Sequence, residues 1–198
     1  ASRDVGIAFA NELSLICDKL GIDVWELIKL ANRHPRVKIL QPGPGVGGHC
    51  IAVDPWFIVD AAPDLARLIR VAREVNDSKP HHVLLRIRTC AERFKAPVIA
   101  CLGLAFKADV DDLRESPAME IVHALAHDSL GRILAVEPHI TTLPKSLAEN
   151  GKVELAQLDA AVEAADVVVL LVNHREFLSF NRRRLEGKAV IDTRGIWR

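Results

Sequence analysis

Residues 97–106, Pro-Val-Ile-Ala-Cys-Leu-Gly-Leu-Ala-Phe, contain a continuous apolar run that predicts a buried β-strand. Three further runs of this kind follow: RILAVEP at 132–138, DVVVLLV at 166–172 and KAVIDTRG at 188–195. Helical patterns lie between them at 116–127, where Ser116 can cap the helix and Pro117 can take its first position, and at 158–165. Apolar strands that alternate with helices indicate a parallel sheet covered on both faces.

The carboxyl ends of these strands are the expected place for a ligand, because open parallel sheets bind their ligands there. The residues at those ends are Lys107, Glu137, Asn173 and Arg194. The second part of the chain is therefore predicted to be a Rossmann-like parallel α/β domain with a ligand crevice at this edge.

The residues that precede this region are helical in pattern. Residues 4–20 place apolar side chains at three- and four-residue steps, and Gly21 suits the left-handed position that ends a helix. Asp23 and Glu26 then form a capping-box pattern that starts a second helix. Two helices joined by so short a turn form an antiparallel hairpin, which must bury its apolar stripes on something else.

A long helical pattern from Leu65 to Cys90 follows, and Pro80 interrupts it. Proline removes a backbone donor and clashes with the preceding turn, so a kink or a new helix is expected there. This position is also the predicted domain boundary. Residues 1–79 are expected to form a helical domain and residues 80–198 the α/β domain, so the fold class is α/β with the helical domain first.

Composition and charge exclude several classes of protein. The 26 basic residues balance the 26 acidic ones, which argues against nucleic acid as a partner. No apolar run approaches the roughly 20 residues of a membrane span and no signal peptide opens the chain, so no membrane partner and a cytoplasmic location are expected. The four cysteines lack CxxC spacing, which favours reduced thiols and no metal.

Residues 41–50, Gln-Pro-Gly-Pro-Gly-Val-Gly-Gly-His-Cys, raise the possibility of a dinucleotide loop. The spacing G-x-G-x-x-G is satisfied by Gly43, Gly45 and Gly48. That fingerprint binds a pyrophosphate only when a strand precedes it and a helix follows. The next residues, HCIAVDPWF with Pro55, do not predict a helix, and the ribose-binding position 68 is leucine. A pyrophosphate loop is therefore not expected, which leaves a plain turn or a rigid mount for Cys50.

A rigid loop that positions Cys50 has a physical rationale. The prolines restrict the backbone, while Gly47 and Gly48 leave it bare beside the thiol, so a substrate can approach. Asp54 lies four residues on, within reach of a water or hydroxyl near the sulfur. No pair between Cys50 and His49 is expected, because adjacent side chains usually diverge. The remaining cysteines lie in apolar patterns and are expected to be small buried hydrophobes: Cys17, Cys90 and Cys101.

Three long stretches carry a resemblance to a known family: NRHPRVKILQPGPGVGGHCIAVDPWFIV at 32–59, AREVNDSKP at 72–80 and GLAFKADVDDLRESPAMEI at 103–121. With them the whole chain resembles the nucleotide-sugar 6-dehydrogenases of the UDP-glucose/GDP-mannose dehydrogenase family. The resemblance implies two successive oxidations of a UDP-sugar at C6 with NAD as cofactor, and a homodimer formed through the helical domain. It does not decide which sugar is oxidised.

The resemblance also implies roles for single residues. Cys50 would capture the aldehyde as a thiohemiacetal that becomes a thioester, and Asp54 would position or activate water. Arg114 matches a residue near the NAD phosphates. The positions that match substrate-binding residues are Arg3, His34, Arg36, Gly47, Phe106, Lys107 and Arg194. His34 and Arg36 would reach the substrate of the partner subunit, and arginine and lysine suit diphosphates.

The family has an NAD-binding domain ahead of this region, and the chain has no counterpart of it. The resemblance implies that the helix with the general-base lysine and its companion asparagine is cut just before Ala1, so that neither residue is present here. The chain is therefore expected to be a fragment that begins inside a helix. NAD is then expected to bind mainly to a domain outside it, and the chain alone is expected not to turn over.

Other interpretations remain open from the sequence. Arg3 and Arg36 could be solvated charges, Lys107 could be a surface lysine, and Arg114 could pair with Asp111 or Asp112. A dimerisation and UDP-binding module without chemistry is a second functional class. A thiol hydrolase that uses Cys50 with His34 or His49 is a third, and it requires a Cys–His hydrogen bond and an oxyanion hole.

Overall fold

The computed structural model describes residues 1–197. The chain divides into two compact units, Ala1–Lys79 and Pro80–Arg198. The helices that begin in the first unit are α1 (Ser2–Leu20), α2 (Val24–Ala31), α3 (His49–Ala61) and α4 (Arg67–Ala91). Pro80 lies inside α4, so of the two alternatives predicted for this proline, the start of a new helix is not found.

The predicted turn between α1 and α2 is confirmed, and it is formed by the two residues that the sequence indicated. Gly21 ends α1 with a left-handed backbone, at φ 68° and ψ 28°. Asp23 caps α2, because its Oδ1 accepts the backbone N–H groups of Trp25 at 2.8 Å and Glu26 at 3.0 Å. The side chains that pack around Cys17, Val24 and Ile28 form a small apolar cluster between the two helices.

The face of α1 that is buried differs from the one that its apolar pattern suggests. The large residues of the stripe are exposed, with Phe9 at 52%, Ile16 at 48% and Leu20 at 63%. The buried face consists of small and polar residues: Asp4, Ala8, Ala10, Asn11, Ser14 and Cys17. Within the first unit, α1 therefore packs through small and polar side chains and leaves Phe9, Ile16 and Leu20 exposed.

The prediction that no helix follows the glycine loop is wrong. Helix α3 begins at His49, directly after the loop, and Pro55 lies inside it. Proline at position 55 leaves the carbonyl of Ile51 without its helical donor. The side chain of Arg73 partly replaces that donor, since its Nη1 lies 3.5 Å from Ile51 O. A contact from a residue distant in sequence thus makes the proline tolerable.

The second unit contains a five-stranded sheet in which all strands are parallel, in the order β3-β2-β1-β4-β5. The strands are β1 (Val98–Leu102), β2 (Arg132–Val136), β3 (Val153–Leu155), β4 (Val167–Leu170) and β5 (Ala189–Asp192). The helices between them are α5 (Pro117–Asp128), α6 (Lys145–Ala148), α7 (Leu158–Ala164) and α8 (Arg175–Leu178), with a 3-10 turn at Arg182–Leu185. The α/β fold class is confirmed, while β3, only three residues long, was not predicted.

Both faces of the sheet are covered, which explains the continuous apolar runs. In β1, Ile99 and Cys101 pack into one core cluster together with α5 and the end of α4. Ala100 and Leu102 pack into the other cluster with α7 and Phe177. Successive residues of a strand point to opposite faces, so every position in such a strand must be apolar.

Candidate active site

Cys50 lies at the amino end of α3. The loop enters this helix through Gly48, whose φ of 82° favours glycine, and Cys50 is the second helical residue. Its side chain is exposed, and the first turn of the helix carries no acidic residue. The unpaired N–H groups and the dipole of a helix N-terminus favour a negative charge there, and the thiolate is the reactive form of cysteine.

Asp54 is also exposed and lies on the same helix, four residues after Cys50. Residues four apart on a helix share one face, with Cβ atoms about 5–6 Å apart. The helix therefore brings the two predicted catalytic side chains together on one surface. The spacing was recognised in the sequence, but the helix that gives it meaning was not.

Two of the other three thiols are expected to be unreactive because they are buried. Burial raises the pKa of Cys101 to about 12. Burial also raises the pKa of Cys17, with smaller contributions from Asp18 and Asp23. Cys90 is half-buried against the core of the second unit. The expectation of buried thiols is met at positions 17 and 101, and Cys50 is the exposed one of the four.

A buried polar network, Asp4–Arg73–Asn76–Asn11, holds the glycine loop onto the helices of the first unit. The N–H of Gly43 donates to Asn11 Oδ1 at 2.9 Å, and Asn11 Nδ2 donates to Asn76 Oδ1 at 2.9 Å. Asn76 Nδ2 in turn donates to Asp4 Oδ1 at 2.8 Å. Arg73 Nη1 completes the chain with an ion pair to Asp4 Oδ1 at 2.7 Å. The loop that leads to Cys50 is thereby anchored at its start.

Sequence reasoning missed this network although its signal was present. Asp4 and Asn11 are seven residues apart on α1, and Arg73 and Asn76 are three apart on α4, so each pair shares a helix face. Polar side chains at helical spacing are normally interpreted as a solvated face. Only the tertiary structure shows that these four side chains are almost completely buried.

The predicted substrate residues of the first unit lie on its surface or in the loop. Arg3 is exposed on α1, and His34 and Arg36 are exposed after α2. His34 Nδ1 accepts the N–H of Arg36 at 3.2 Å, which shapes this turn. Gly47 is half-buried in the loop before Cys50. The roles assigned to these four residues stay predictions.

At the end of β1, a loop carries the predicted nucleotide contacts. Lys107 is exposed, and its Nζ lies 5.3 Å from the centroid of the Phe106 ring, a cation–π contact. The loop is fixed from below by Glu137, whose Oε2 accepts the N–H groups of Leu104 at 2.7 Å and Ala105 at 3.0 Å. Phe106 and Lys107 are thus presented at the carboxyl edge of the sheet by a rigid turn.

Glu137 lies at the predicted strand end, but it does not face a ligand. It is only 4% exposed, and its carboxylate is occupied by the loop amides and by His174 Nε2 at 3.1 Å. Burial by itself would raise the pKa of Glu137. The hydrogen bonds from His174, Leu104 and Ala105 outweigh it and leave that pKa below its usual value. Glu137 therefore remains ionised and ties three strand ends together.

Arg194 follows β5 and is half-buried. Its Nε donates to the carbonyl of Leu171 at 3.0 Å, which fixes the orientation of the guanidinium. Burial lowers the pKa of Arg194 to about 10, and Asp192 opposes this effect. The side chain is therefore a desolvated cation at neutral pH, a state that favours contact with an anion.

Arg114 shows the pairing that the sequence left open. Its Nε and Nη2 donate to the two carboxylate oxygens of Asp112 at 2.9 Å and 2.7 Å, and these hydrogen bonds lower the pKa of Asp112 to about 2. The Arg114 side chain is 81% exposed. An ion pair so open to water contributes little stability, so the arginine can be drawn away by a phosphate.

Phe106, Lys107 and Arg194 lie on the same edge of one sheet. β4 stands between β1 and β5. With about 4.8 Å between neighbouring strands, the ends of β1 and β5 are about 10 Å apart. An aromatic ring and two cations over this distance suit an extended, negatively charged ligand such as a nucleoside diphosphate.

Together these features define a class of protein with two kinds of unit. A helical unit exposes a cysteine thiol at a helix N-terminus, and an α/β unit carries cationic side chains at the carboxyl ends of its parallel strands. Models of the UDP-glucose/GDP-mannose dehydrogenase family match both units, the central domain at residues 1–78 and the UDP binding domain at residues 100–198. The chain belongs to this family, and the resemblance seen in its sequence is confirmed.

Individual relatives carry more specific names. An NDP-N-acetyl-D-galactosaminuronic acid dehydrogenase of Ralstonia nicotianae is 66% identical over 197 residues, which are 100% of this chain and 46% of the relative. A UDP-N-acetyl-D-mannosamine dehydrogenase of Salmonella typhi is 58% identical over 99% of this chain and 48% of its own length. The solved UDP-N-acetyl-mannosamine dehydrogenase of S. aureus is 39% identical with a TM-score of 0.83, over 98% of this chain and 45% of that one.

The chain spans about half the length of the curated relatives that it matches. Within residues 1–197, no helix combines the length and the apolar character that crossing a membrane requires.

Proposed function

We propose that the chain is the aldehyde-capturing and UDP-binding part of an NAD-dependent nucleotide-sugar 6-dehydrogenase. The proposed reaction converts UDP-N-acetyl-D-mannosamine to UDP-N-acetyl-D-mannosaminuronate. The observation that carries the proposal is the exposed thiol of Cys50 at the start of α3, with the carboxylate of Asp54 one turn further along the same face.

Cys50 supplies the covalent step. After the C6 alcohol has lost a proton and a hydride, the thiolate adds to the aldehyde carbon. The C–S bond forms as the carbonyl π bond breaks, and the oxygen takes up a proton from solvent to become the hydroxyl of a thiohemiacetal. This adduct keeps a hydrogen on C6 and does not diffuse away, so it can lose a second hydride and a proton to become a thioester. The loop glycines leave room for a sugar beside the sulfur.

Asp54 acts on water in the last step. Water adds to the thioester carbon, the C–S bond breaks, and the products are the uronate and the free thiol of Cys50. A carboxylate on the same helix face can hold that water by a hydrogen bond and take its proton. Because the earlier steps do not consume water, the loss of Asp54 slows thioester hydrolysis most.

The α/β unit binds the nucleotide part of the substrate. Lys107 and Arg194 offer charge to a diphosphate, and the Phe106 ring offers a surface for the uracil base. The strand-end position of all three supports this role, since parallel sheets bind ligands at their carboxyl edge.

NAD, when bound, accepts the hydrides of both oxidations. The chain fits this cofactor only in small part. The loop at residues 41–50 leads into a helix, but no strand precedes it within residues 1–197. Arg114, exposed and held only by Asp112, is the residue here that would meet an NAD phosphate. The proposal therefore assigns most of the NAD site to residues outside this chain.

Separate calorimetric titrations with UDP and with NAD test whether this chain binds the nucleotide of the substrate but contains little of the NAD site. UDP is expected to bind the chain, whereas NAD binds weakly or not at all. Lys107→Ala and Arg194→Ala should each weaken UDP binding about 10- to 100-fold, since charged hydrogen bonds contribute about 1.5–3 kcal/mol. Lys95→Ala and Arg93→Ala are matched controls, because both residues are exposed and precede β1 at the opposite sheet edge. A tight NAD site on this chain would contradict the proposal.

The sugar is the least constrained part of the proposal. A relative named for UDP-N-acetyl-D-mannosamine supports that substrate, and so does the solved S. aureus structure with a TM-score of 0.83. A second candidate is the UDP-N-acetyl-D-galactosamine series, because a relative named for N-acetyl-D-galactosaminuronic acid is 66% identical. UDP-N-acetylglucosamine and UDP-glucose are further alternatives. Both leading candidates carry an acetamido group, so a UDP-N-acetylhexosamine is the substrate class.

We further propose that two copies of the chain form a dimer through the helical unit. Large apolar side chains are exposed there, among them Phe9, Leu20 and Phe57, and a monomer rarely leaves so many open to water. Sedimentation equilibrium is expected to give twice the chain mass of 21.8 kDa, and Phe9→Asp should shift the balance toward monomer. A monomer at every concentration would contradict this proposal.

The cysteines support a cytoplasmic location. All four are unpaired, and free thiols are typical of the reducing cytosol.

A further inference from the structure

Four side chains with metal-binding atoms form a cluster beside the ends of β1, β2 and β4. They are Asp109, His139, His174 and Glu176, and one ligand atom from each lies within 4.8 Å of the others. Imidazole and carboxylate are the ligand types of divalent transition-metal sites. The sequence predicted no metal because its four cysteines lack CxxC spacing. None of those cysteines belongs to this cluster, whose members are histidines and carboxylates.

His174 is already held in the orientation that a metal requires. Its Nδ1 accepts the N–H of Asp109 at 3.0 Å, so that nitrogen carries no proton. The ring proton is therefore on Nε2, which donates to Glu137 Oε2 at 3.1 Å. Glu137 therefore orients the His174 ring, as carboxylates do for metal-binding histidines, and Nδ1 can bind a metal once the Asp109 N–H moves away.

His139 provides the second observation. Its Nε2 is buried, and it has no hydrogen-bond partner within the described residues. The His139 ring lies next to that of His174, with centroids 4.9 Å apart. A buried nitrogen without a partner is unfavourable, and such groups in native proteins often mark a water or ion site. A cation at the cluster would satisfy it.

The charges of the cluster favour a divalent cation over an anion. Asp109 and Glu176 are exposed carboxylates, and both follow strand ends. Asp109 also binds Arg175, whose backbone N–H donates to Oδ1 at 3.0 Å and whose Nε donates to Oδ2 at 3.2 Å. The two carboxylates together carry more negative charge than Arg175 offsets, so the cluster attracts a cation and repels a phosphate.

We propose that these four residues form a binding site for a divalent transition-metal ion of the zinc type. His174 Nδ1, His139 Nε2 and the carboxylates of Asp109 and Glu176 are its ligands, and Glu137 supports His174 from behind. Binding replaces the hydrogen bond between Asp109 N–H and His174. The site does not depend on the dehydrogenase proposal.

Calorimetry with Zn²⁺ tests the proposal on the untagged chain after treatment with a chelator. A Cys50→Ser background removes the exposed thiol, which could itself bind zinc. One equivalent is expected to bind. His139→Asn and Glu176→Gln should each lower the affinity by at least about tenfold, the loss seen even when an indirect partner is removed. His127→Asn is the matched control, because His127 is exposed and lies outside the cluster.

Thermal unfolding gives an independent readout. At a Zn²⁺ concentration about a hundredfold above Kd, the midpoint should rise by about 5–10 °C, and this rise should vanish in Glu176→Gln. Glu176 is exposed, so this variant folds even if His139→Asn does not. The proposal is overturned if the Cys50→Ser chain binds no zinc, or if Glu176→Gln binds it as tightly as the parent and the His127→Asn control do.

Discussion

Iodoacetamide is expected to label Cys50 of the folded chain at least about a thousandfold faster than Cys101. Burial raises the pKa of Cys101 from 9.0 to about 12, so its thiolate is about a thousandfold rarer than that of an ordinary thiol. Lack of access slows Cys101 further. Cys50 is exposed at a helix N-terminus, where the reagent can reach it. Peptide mapping by mass spectrometry at timed intervals measures the two rates.

The controls assign the fast phase to Cys50 and show that the other thiols are slow because the fold protects them. In Cys50→Ser the fast phase should disappear, and in denaturant all four thiols should react alike. Asp54→Asn should keep the fast phase, because Asp54 is proposed to act on water and not on the sulfur. If Cys50 reacts as slowly as the buried thiols, the catalytic proposal fails and a binding and dimerisation module without chemistry becomes the better interpretation.

Arg73→Met is expected to lower the free energy of unfolding by about 3–5 kcal/mol. Arg73 is 2% exposed and is paired with the fully buried carboxylate of Asp4 at 2.7 Å. Removing the cation leaves that carboxylate charged, desolvated and connected only to Asn76. The Ile51 carbonyl, left open by Pro55, also loses its contact. Urea denaturation followed by circular dichroism measures the change.

Two further variants test the electrostatic cause. Asp4→Asn combined with Arg73→Met should be clearly more stable than Arg73→Met alone, because no uncompensated charge then remains inside. Arg67→Met, an exposed change at the start of the same helix, should alter stability by no more than about 0.5 kcal/mol. If Arg73→Met behaves like Arg67→Met, the buried network does not support the first unit.

Several parts of the fold were predictable because they depend on neighbours in sequence. Asp23 as an N-cap, Gly21 as a helix end and Ser116 with Pro117 at the start of α5 all involve bonds within a few residues. The parallel sheet was predictable because strands covered on both faces must be apolar throughout. The three-residue strand β3 was missed because so short a segment carries no pattern of its own.

The candidate site also has some features that the sequence predicts and others that only the structure shows. Cys50, Asp54, Lys107 and Arg194 could be selected from motifs, and their chemistry follows from residue type. That Cys50 and Asp54 share a helix face could not be predicted, because Pro55 argues against a helix and only Arg73, a residue distant in sequence, offsets it. Glu137 looked like a ligand contact and is instead a buried support for the loop before Lys107.

From the sequence alone one could determine the α/β class and the family and select Cys50 as the proposed nucleophile, because each depends on residue type or on short-range spacing. The tertiary structure decided which polar residues are buried, which helix face is left open and how His139 and His174 meet. Those outcomes depend on contacts between residues far apart in the chain, where burial and not local propensity sets the free energy.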